Sequence, residues 1–234
     1  MEPRSVLPQG ASPEADSAEA GPDSPRGERR EAILHAAERC FTRHGFHRTT
    51  MQIVAREAGM SPGNIYRYFP SKNAIVEGMV ERDREEARRR FALIDRAQPF
   101  WEQFVELGRT YFVGDARAKA VLCLEIWAEA ARNPEIDAIN RPFEIELAAQ
   151  LSELIDGARA RGEVAPDVDA VAAAQIIMVI TSGLYVRTGL RRDGDGAASF
   201  DWALQAVYGL LSGAPVLRRG DRDGCTHSSQ EPSA

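Results

Sequence analysis

Between Thr49 and Lys72 the chain places hydroxyls at Thr49, Thr50, Ser61, Tyr66 and Tyr68, a carboxamide at Asn64, a guanidinium at Arg67 and an amine at Lys72. No nucleophile and base stand together at these spacings. The set is instead one of hydrogen-bond donors and acceptors with positive charge among them, which is the chemistry of polyanion recognition. Hydroxyls and an amine suit phosphate oxygens, whereas the planar ends of Asn64 and Arg67 match adenine and guanine edges respectively. Gly63 leaves room for close backbone approach, and Pro62 costs no hydrogen bond in the first turn of a helix.

Short elements must hold these groups. Thr49 and Gln52 read as a capping box that opens a helix with Ile53, Val54 and Ala58 on its apolar side, and Gly59 closes it. Ser61 caps a second helix, Phe69-Pro70 ends it, and Ser71 caps the next. Two helices of about eight residues joined by a three-residue turn form a helix-turn-helix. A helix from about Glu28 to His44, with Ile33, Ala37, Cys40 and Phe41 on one face, supplies the third member. The second helix of the pair can be short because only its N-terminal end must enter a major groove. There the free amides of Ser61 to Asn64 and the positive helix terminus favour phosphate.

The charge distribution agrees. Net charge is −6, yet residues 26–72 hold nine Arg or Lys against four acids, a local balance of +5. Basic charge confined to one segment lets an acidic protein present one surface to DNA.

Elsewhere the pattern is helical, and no stretch alternates with period two, so the predicted class is all-α. Beyond the first three helices the expected elements are 71–95, 98–113, 116–132, 134–161, 167–190 and 199–213, separated by Pro and Gly breaks, with Pro142 kinking or splitting its helix. The predicted organisation is a disordered tail over 1–26, a DNA-binding domain over 27–72, a six-helix domain over 73–213 and a disordered tail over 214–234.

Three scattered cysteines and the lack of a signal-like apolar N-terminus point to the cytoplasm. The charge-free run AVAAAQIIMVITSGLYV, residues 170–186, is short for a membrane span and reads as a buried helix. Cys40, His44 and His47 lack a convincing fourth ligand, so no metal is expected, nor any cofactor. There is no phosphate loop or nucleophile elbow, which argues against an enzyme. The mixed-sign run 81–90 reads as a solvated helix face with internal ion pairs. Arg187, Arg191 and Arg192 suit the negative end of a helix.

T-T-M-x-I-V-A-x-x-A-G-M-S-x-G-x-I-Y-x-Y-F-x-S-K from Thr49 to Lys72, following Gly45-Phe46, resembles the N-terminal signature of the TetR (tetracycline-repressor) family of bacterial regulators. The likeness is dense over residues 29–77, and the length and helix count are similar as well. Tyr68 stands where many members have His and keeps a ring with a hydrogen-bonding tip.

The resemblance implies a homodimer on a palindromic operator, with DNA contacts at Thr49, Thr50, Ser61, Pro62, Gly63, Asn64, Tyr66, Arg67, Tyr68 and Lys72. It implies dimerisation through the last two helices. Helix 167–190 is apolar or small nearly all round, and Ile176, Val179, Gly183, Phe200, Leu204, Val207 and Leu211 are the candidate interface. It implies a regulatory domain that accepts a small hydrophobic or amphipathic effector, for which Trp101, Phe104, Tyr111, Trp127, Phe143 and Met178 are candidate pocket walls. Aromatics at helical spacing also simply fill cores, so a regulator without an effector stays open, as does activation in place of repression. If there is an effector, helix 71–95 is the expected lever between the domains.

Overall fold

A computed structural model describes residues 24–112, 116–190 and 196–213. Among them are nine helices and no strand: α1 (Pro25–His44), α2 (Met51–Glu57), α3 (Pro62–Ile65), α4 (Lys72–Ala92), α5 (Phe100–Phe112), α6 (Ala116–Ala130), α7 (Pro134–Ala160), α8 (Ala170–Leu190) and α9 (Gly196–Leu211). The helix expected to open near Glu28 begins at Pro25, because Ser24 accepts the Gly27 N–H and Pro25 takes the first position. The rest of both expected tails, with Cys225, lies outside the described residues, as do Arg191 and Arg192. Pro142 does not split α7, which is continuous to Ala160.

The chain forms two compact units. The first extends to Glu85 and adds Leu122–Arg141; the second is Glu86–Val121 with the chain from Pro142 onward. These boundaries differ from a linear division at residue 72, since α4, α6 and α7 each have residues in both units.

In the first unit α2 packs on α1 and α3 packs on α2. Its buried side chains include Ile33, Leu34, Phe41, Val54, Ile65, Phe69, Ile75, Val76 and Met79. Gly78 of α4 is where this packing is tightest: a Cβ there would lie 2.9 Å from Phe69 Cε1 and 3.1 Å from both Leu34 Cδ2 and Arg30 Nη2. Arg82 pairs with Glu38 and Glu31 of α1. Burial alone would raise the Glu38 carboxyl, but the hydrogen bond and charge of Arg82, joined by His35, hold it below the ordinary carboxylate range.

In the second unit α9 packs on α8 and α5. Phe100, Phe104, Leu151, Leu154, Ile155, Ala173, Ala174, Ile177, Val207 and Leu211 share one core. Two carboxylates fix helix starts here. Asp169 accepts from Val171 and Ala172 N–H at the head of α8, and Glu163 accepts from Phe100 N–H at 2.5 Å at the head of α5. That backbone hydrogen bond, with one from Arg161, lowers the Glu163 carboxyl below its ordinary value.

Helix α8 runs for 21 residues, longer than the 17-residue apolar run read from the sequence, and by length and composition it could cross a bilayer. Ala173, Ala174, Ile177, Leu184 and Tyr185 are nevertheless buried within the unit, which is the behaviour of a core helix with one face left outward.

Candidate DNA-binding interface

The helix-turn-helix is assembled by local rules. At the end of α2, Gly59 has φ +67°, Met60 N–H reaches Ala55 O at 2.8 Å, and Gly59 N–H reaches Arg56 O at 3.1 Å. This is a Schellman closure, whose left-handed residue is the reason for glycine. Ser61 then opens α3 by accepting the Asn64 N–H at 3.3 Å, with Pro62 beside it at the first position. The predicted eight residues shrink to four in α3 proper. Arg67 and Tyr68 N–H turn to the carbonyls three residues back, 3.2 and 3.0 Å away, so the helix tightens into turns before Phe69 enters the core.

Ser61, Pro62, Gly63, Tyr66 and Arg67 are exposed, and Asn64 and Tyr68 are half-buried, around the anchored side chain of Ile65. No atom lies within 4 Å of where a Gly63 Cβ would be, so the backbone at the head of α3 is open to a close-approaching surface. Arg48 and Arg56 are also exposed and belong to the basic segment 26–72.

Two sequence assignments need correction. Thr49 is not the cap of α2 and its hydroxyl is not available to phosphate. Its side chain is 0% exposed, and Oγ1 donates to Gly45 O at 2.8 Å and reaches Cys40 O at 3.2 Å. The cap is the next residue, exposed Thr50, whose Oγ1 accepts the Ile53 N–H at 3.3 Å. Adjacent threonines point opposite ways, so the one that faces the core becomes a strut. Lys72 is likewise not a free phosphate clamp. Its ammonium donates to Phe46 O at 2.7 Å and sits 4.2 Å from the Phe46 ring centroid. Burial lowers its pKa, and the charge of Glu129 acts against that.

The partners of that loop come from a helix about 80 residues further along the chain. Glu125 accepts the Phe46 N–H at 2.9 Å, and Glu129, 5% exposed, has Oε2 2.8 Å from His47 Nε2. Glu125, Glu129 and Arg132 form a polar stripe at helical spacing in an otherwise apolar stretch, which is the signal the sequence carries. His47 thus turns to a carboxylate while Cys40 is buried in α1.

The other candidate sites divide. Of the pocket candidates, Trp127 belongs to the first unit and the other five to the second. Phe104 is a core residue; Trp101 and Met178 pack partly buried against the same core. Trp101 stacks on Phe104 at 5.7 Å and meets Tyr208 edge-on at 5.0 Å, and Tyr111 lies under the Arg90 guanidinium at 4.9 Å. Phe143 is half-buried. A surface cleft of about 610 Å³ in this unit is lined instead by Ser152, Glu153, Asp156, Arg159 and residues 167–171, none of them a pocket candidate.

Of the interface candidates, Ile176, Val179 and Gly183 are exposed, Val179 at 72%. Phe200, Val207 and Leu211 are not available to a partner, since they are buried in the chain's own core, and Leu204 packs against that core. The outward apolar residues of α9 are Trp202 and Tyr208. The stripe read on this helix was real, but it buries against α5 and α8 first.

Comparison with known proteins matches this architecture. Residues 33–79 fit the family of bacterial regulatory proteins, tetR family, and residues 102–211 fit the C-terminal domain of BetI-type transcriptional repressors. The regulator UidR of Escherichia coli is 28% identical over 180 residues, covering 77% of this chain and 91% of its own. The repressor BepR of Brucella suis is 32% identical over 166 residues, covering 67% and 78%. The solved structure of Salmonella enterica GusR superposes with a TM-score of 0.70 at 29% identity, over 82% of this chain and 99% of that one. A chain whose described residues form a helix-turn-helix followed by a helical C-terminal region, matched to the family along both, belongs to the TetR family of transcriptional regulators.

Proposed function

We propose that the protein is a cytoplasmic repressor that binds a palindromic operator as a homodimer and is released by a small hydrophobic or amphipathic effector. The observation that carries the DNA reading is the short, capped α3, which holds exposed Ser61, Gly63, Tyr66 and Arg67 and half-buried Asn64 and Tyr68 within the basic segment 26–72. Arg67 reads guanine and Asn64 adenine, while Thr50, Ser61 and the amides at the head of α3 meet phosphate. Domain boundaries for these activities are best set near 27–72 for DNA contact and 73–213 for regulation and pairing.

The pairing face is Ile176, Val179 and Gly183 of α8, with Trp202 and Tyr208 of α9. It is supported by the outward exposure of these residues on two adjacent apolar helices. Isologous pairing presents two reading heads, which calls for half-sites about one DNA turn apart. An effector acts only by binding the released state more tightly than the bound one, with α4 as the lever. The wall candidates for it are Trp101, Phe104, Tyr111, Phe143 and Met178, with Trp127 in the other unit. A regulator without an effector is the second reading, favoured by the packing of Trp101, Phe104 and Met178 against the core.

Selection of bound sequences from random duplex DNA at stated moderate salt tests the proposal. One palindromic motif is the expected result. Arg67→Ala and Asn64→Ala should then relax preference at particular positions, and equal losses on matched and mismatched duplexes would remove their base-reading role. Weak, salt-sensitive binding with no motif would refute the operator reading.

A further inference from the structure

The loop between α1 and α2 is gripped from several sides within the first unit. Glu125 of α6 accepts the Phe46 N–H, Lys72 of α4 donates to the Phe46 carbonyl, and Thr49 ties the far end back to α1. One turn along α6, Glu129 approaches His47 at 2.8 Å and Arg132 at 3.7 Å, and its other oxygen accepts from Asn133 at 3.2 Å. Gly45 is constrained twice over: its φ is +81°, and a Cβ would come 3.3 Å from the Glu125 carboxylate.

Two acids so placed are unfavourable for a DNA-binding unit unless they do something else. Negative charge near the reading head opposes phosphate, and a buried carboxylate is costly without hydrogen bonds. We propose that Glu125 and Glu129 are positioning residues for operator recognition: Glu125 holds the backbone at Phe46, Glu129 faces the side chain of His47, and together they set the place where α2 begins. Operator affinity then depends on two carboxylates that touch no DNA. Both lie on α6, which has residues in the second unit as well. The inference rests on the DNA-binding reading above.

The test measures binding of the full chain to its selected operator and to random duplex across a salt series, for the wild type, Glu125→Ala and Glu125→Gln. Removing an acid makes the chain less negative, so electrostatics alone predicts tighter binding to every duplex. Positioning predicts the opposite for Glu125→Ala on the operator. A weakening of about tenfold is expected, the worth of one hydrogen bond at a charged group. The salt slope should stay unchanged, and binding to random duplex should not weaken.

Glu125→Gln keeps an acceptor oxygen and should restore operator binding. Operator binding by Glu125→Ala as tight as wild type, or tighter, would overturn the proposal. Should that variant fail to fold, amide exchange at Phe46 in the wild type decides: strong protection is expected, and exchange at the rate of an open loop refutes the latch. Failure of wild type to select any motif would sink the DNA reading instead, while leaving the Phe46 exchange test informative.

Discussion

Trp202→Ala separates pairing from folding. Trp202 is 59% exposed in the single chain, on a helix that packs against α8, where Val179 is also exposed. Taking roughly 200 Å² for the side chain and about 25 cal/mol per Å², covering half of the exposed remainder contributes roughly 1.5 kcal/mol per copy. A two-fold interface contains the residue twice, so the substitution should cost the dimer about 3 kcal/mol, near two orders of magnitude in its dissociation constant. Sedimentation velocity over a dilution series reads this directly. Stability of the single chain should fall by at most about 2 kcal/mol, from the roughly 80 Å² of the side chain already covered within it. Phe200→Ala is the contrasting control. Phe200 is 5% exposed, 5.8 Å from the Phe112 ring, and should lose about 3–5 kcal/mol of folding stability through a cavity. An unchanged dimer constant for Trp202→Ala, or a wild type that stays monomeric at tens of micromolar, would refute the assigned face.

Other outcomes follow from the first unit and from α8. Gly78→Ala should destabilise by about 1–3 kcal/mol through overpacking, less up to about 1 kcal/mol regained in helix propensity, since the rigid Phe69 ring cannot yield easily. Thermal unfolding should show a lower midpoint, and a raised one would contradict the packing. Glu38→Gln should lower stability at neutral pH and flatten its acid dependence. With the folded pKa below the ordinary 4.5, the ion pair with Arg82 contributes fully above that value and is lost as pH falls through the folded pKa. Urea unfolding of both forms at several pH values checks this, and parallel curves would exclude the pair as the cause. Gly183→Ala, with open space at its Cβ in the single chain, should stabilise the isolated helix by up to about 1 kcal/mol. If its dimer constant is nonetheless weaker by light scattering, α8 makes a close crossing there; a dimer tightened by the substitution would exclude one.

The sequence determined what depends on a few neighbouring residues. The Gly59 closure, the Ser61 cap and the stop before Phe69 are settled by backbone groups three to five positions away, so their spacing alone specified a short reading helix. Helical class and the confinement of basic charge to residues 26–72 were equally legible. Tertiary structure decided whatever needed a distant partner. Which of two adjacent threonines caps α2 depends on Thr49 reaching Cys40, nine residues back. The task of Lys72 depends on Phe46, 26 residues away, and that of Glu125 on the same residue across 79 positions. On α9 the apolar stripe fixed that one face would be buried, but only packing against α5 and α8 determined that Phe200, Val207 and Leu211 fill the chain's own core and leave Trp202 and Tyr208 outside. Periodicity specifies that a face is hidden; which neighbour hides it is a property of the assembled fold.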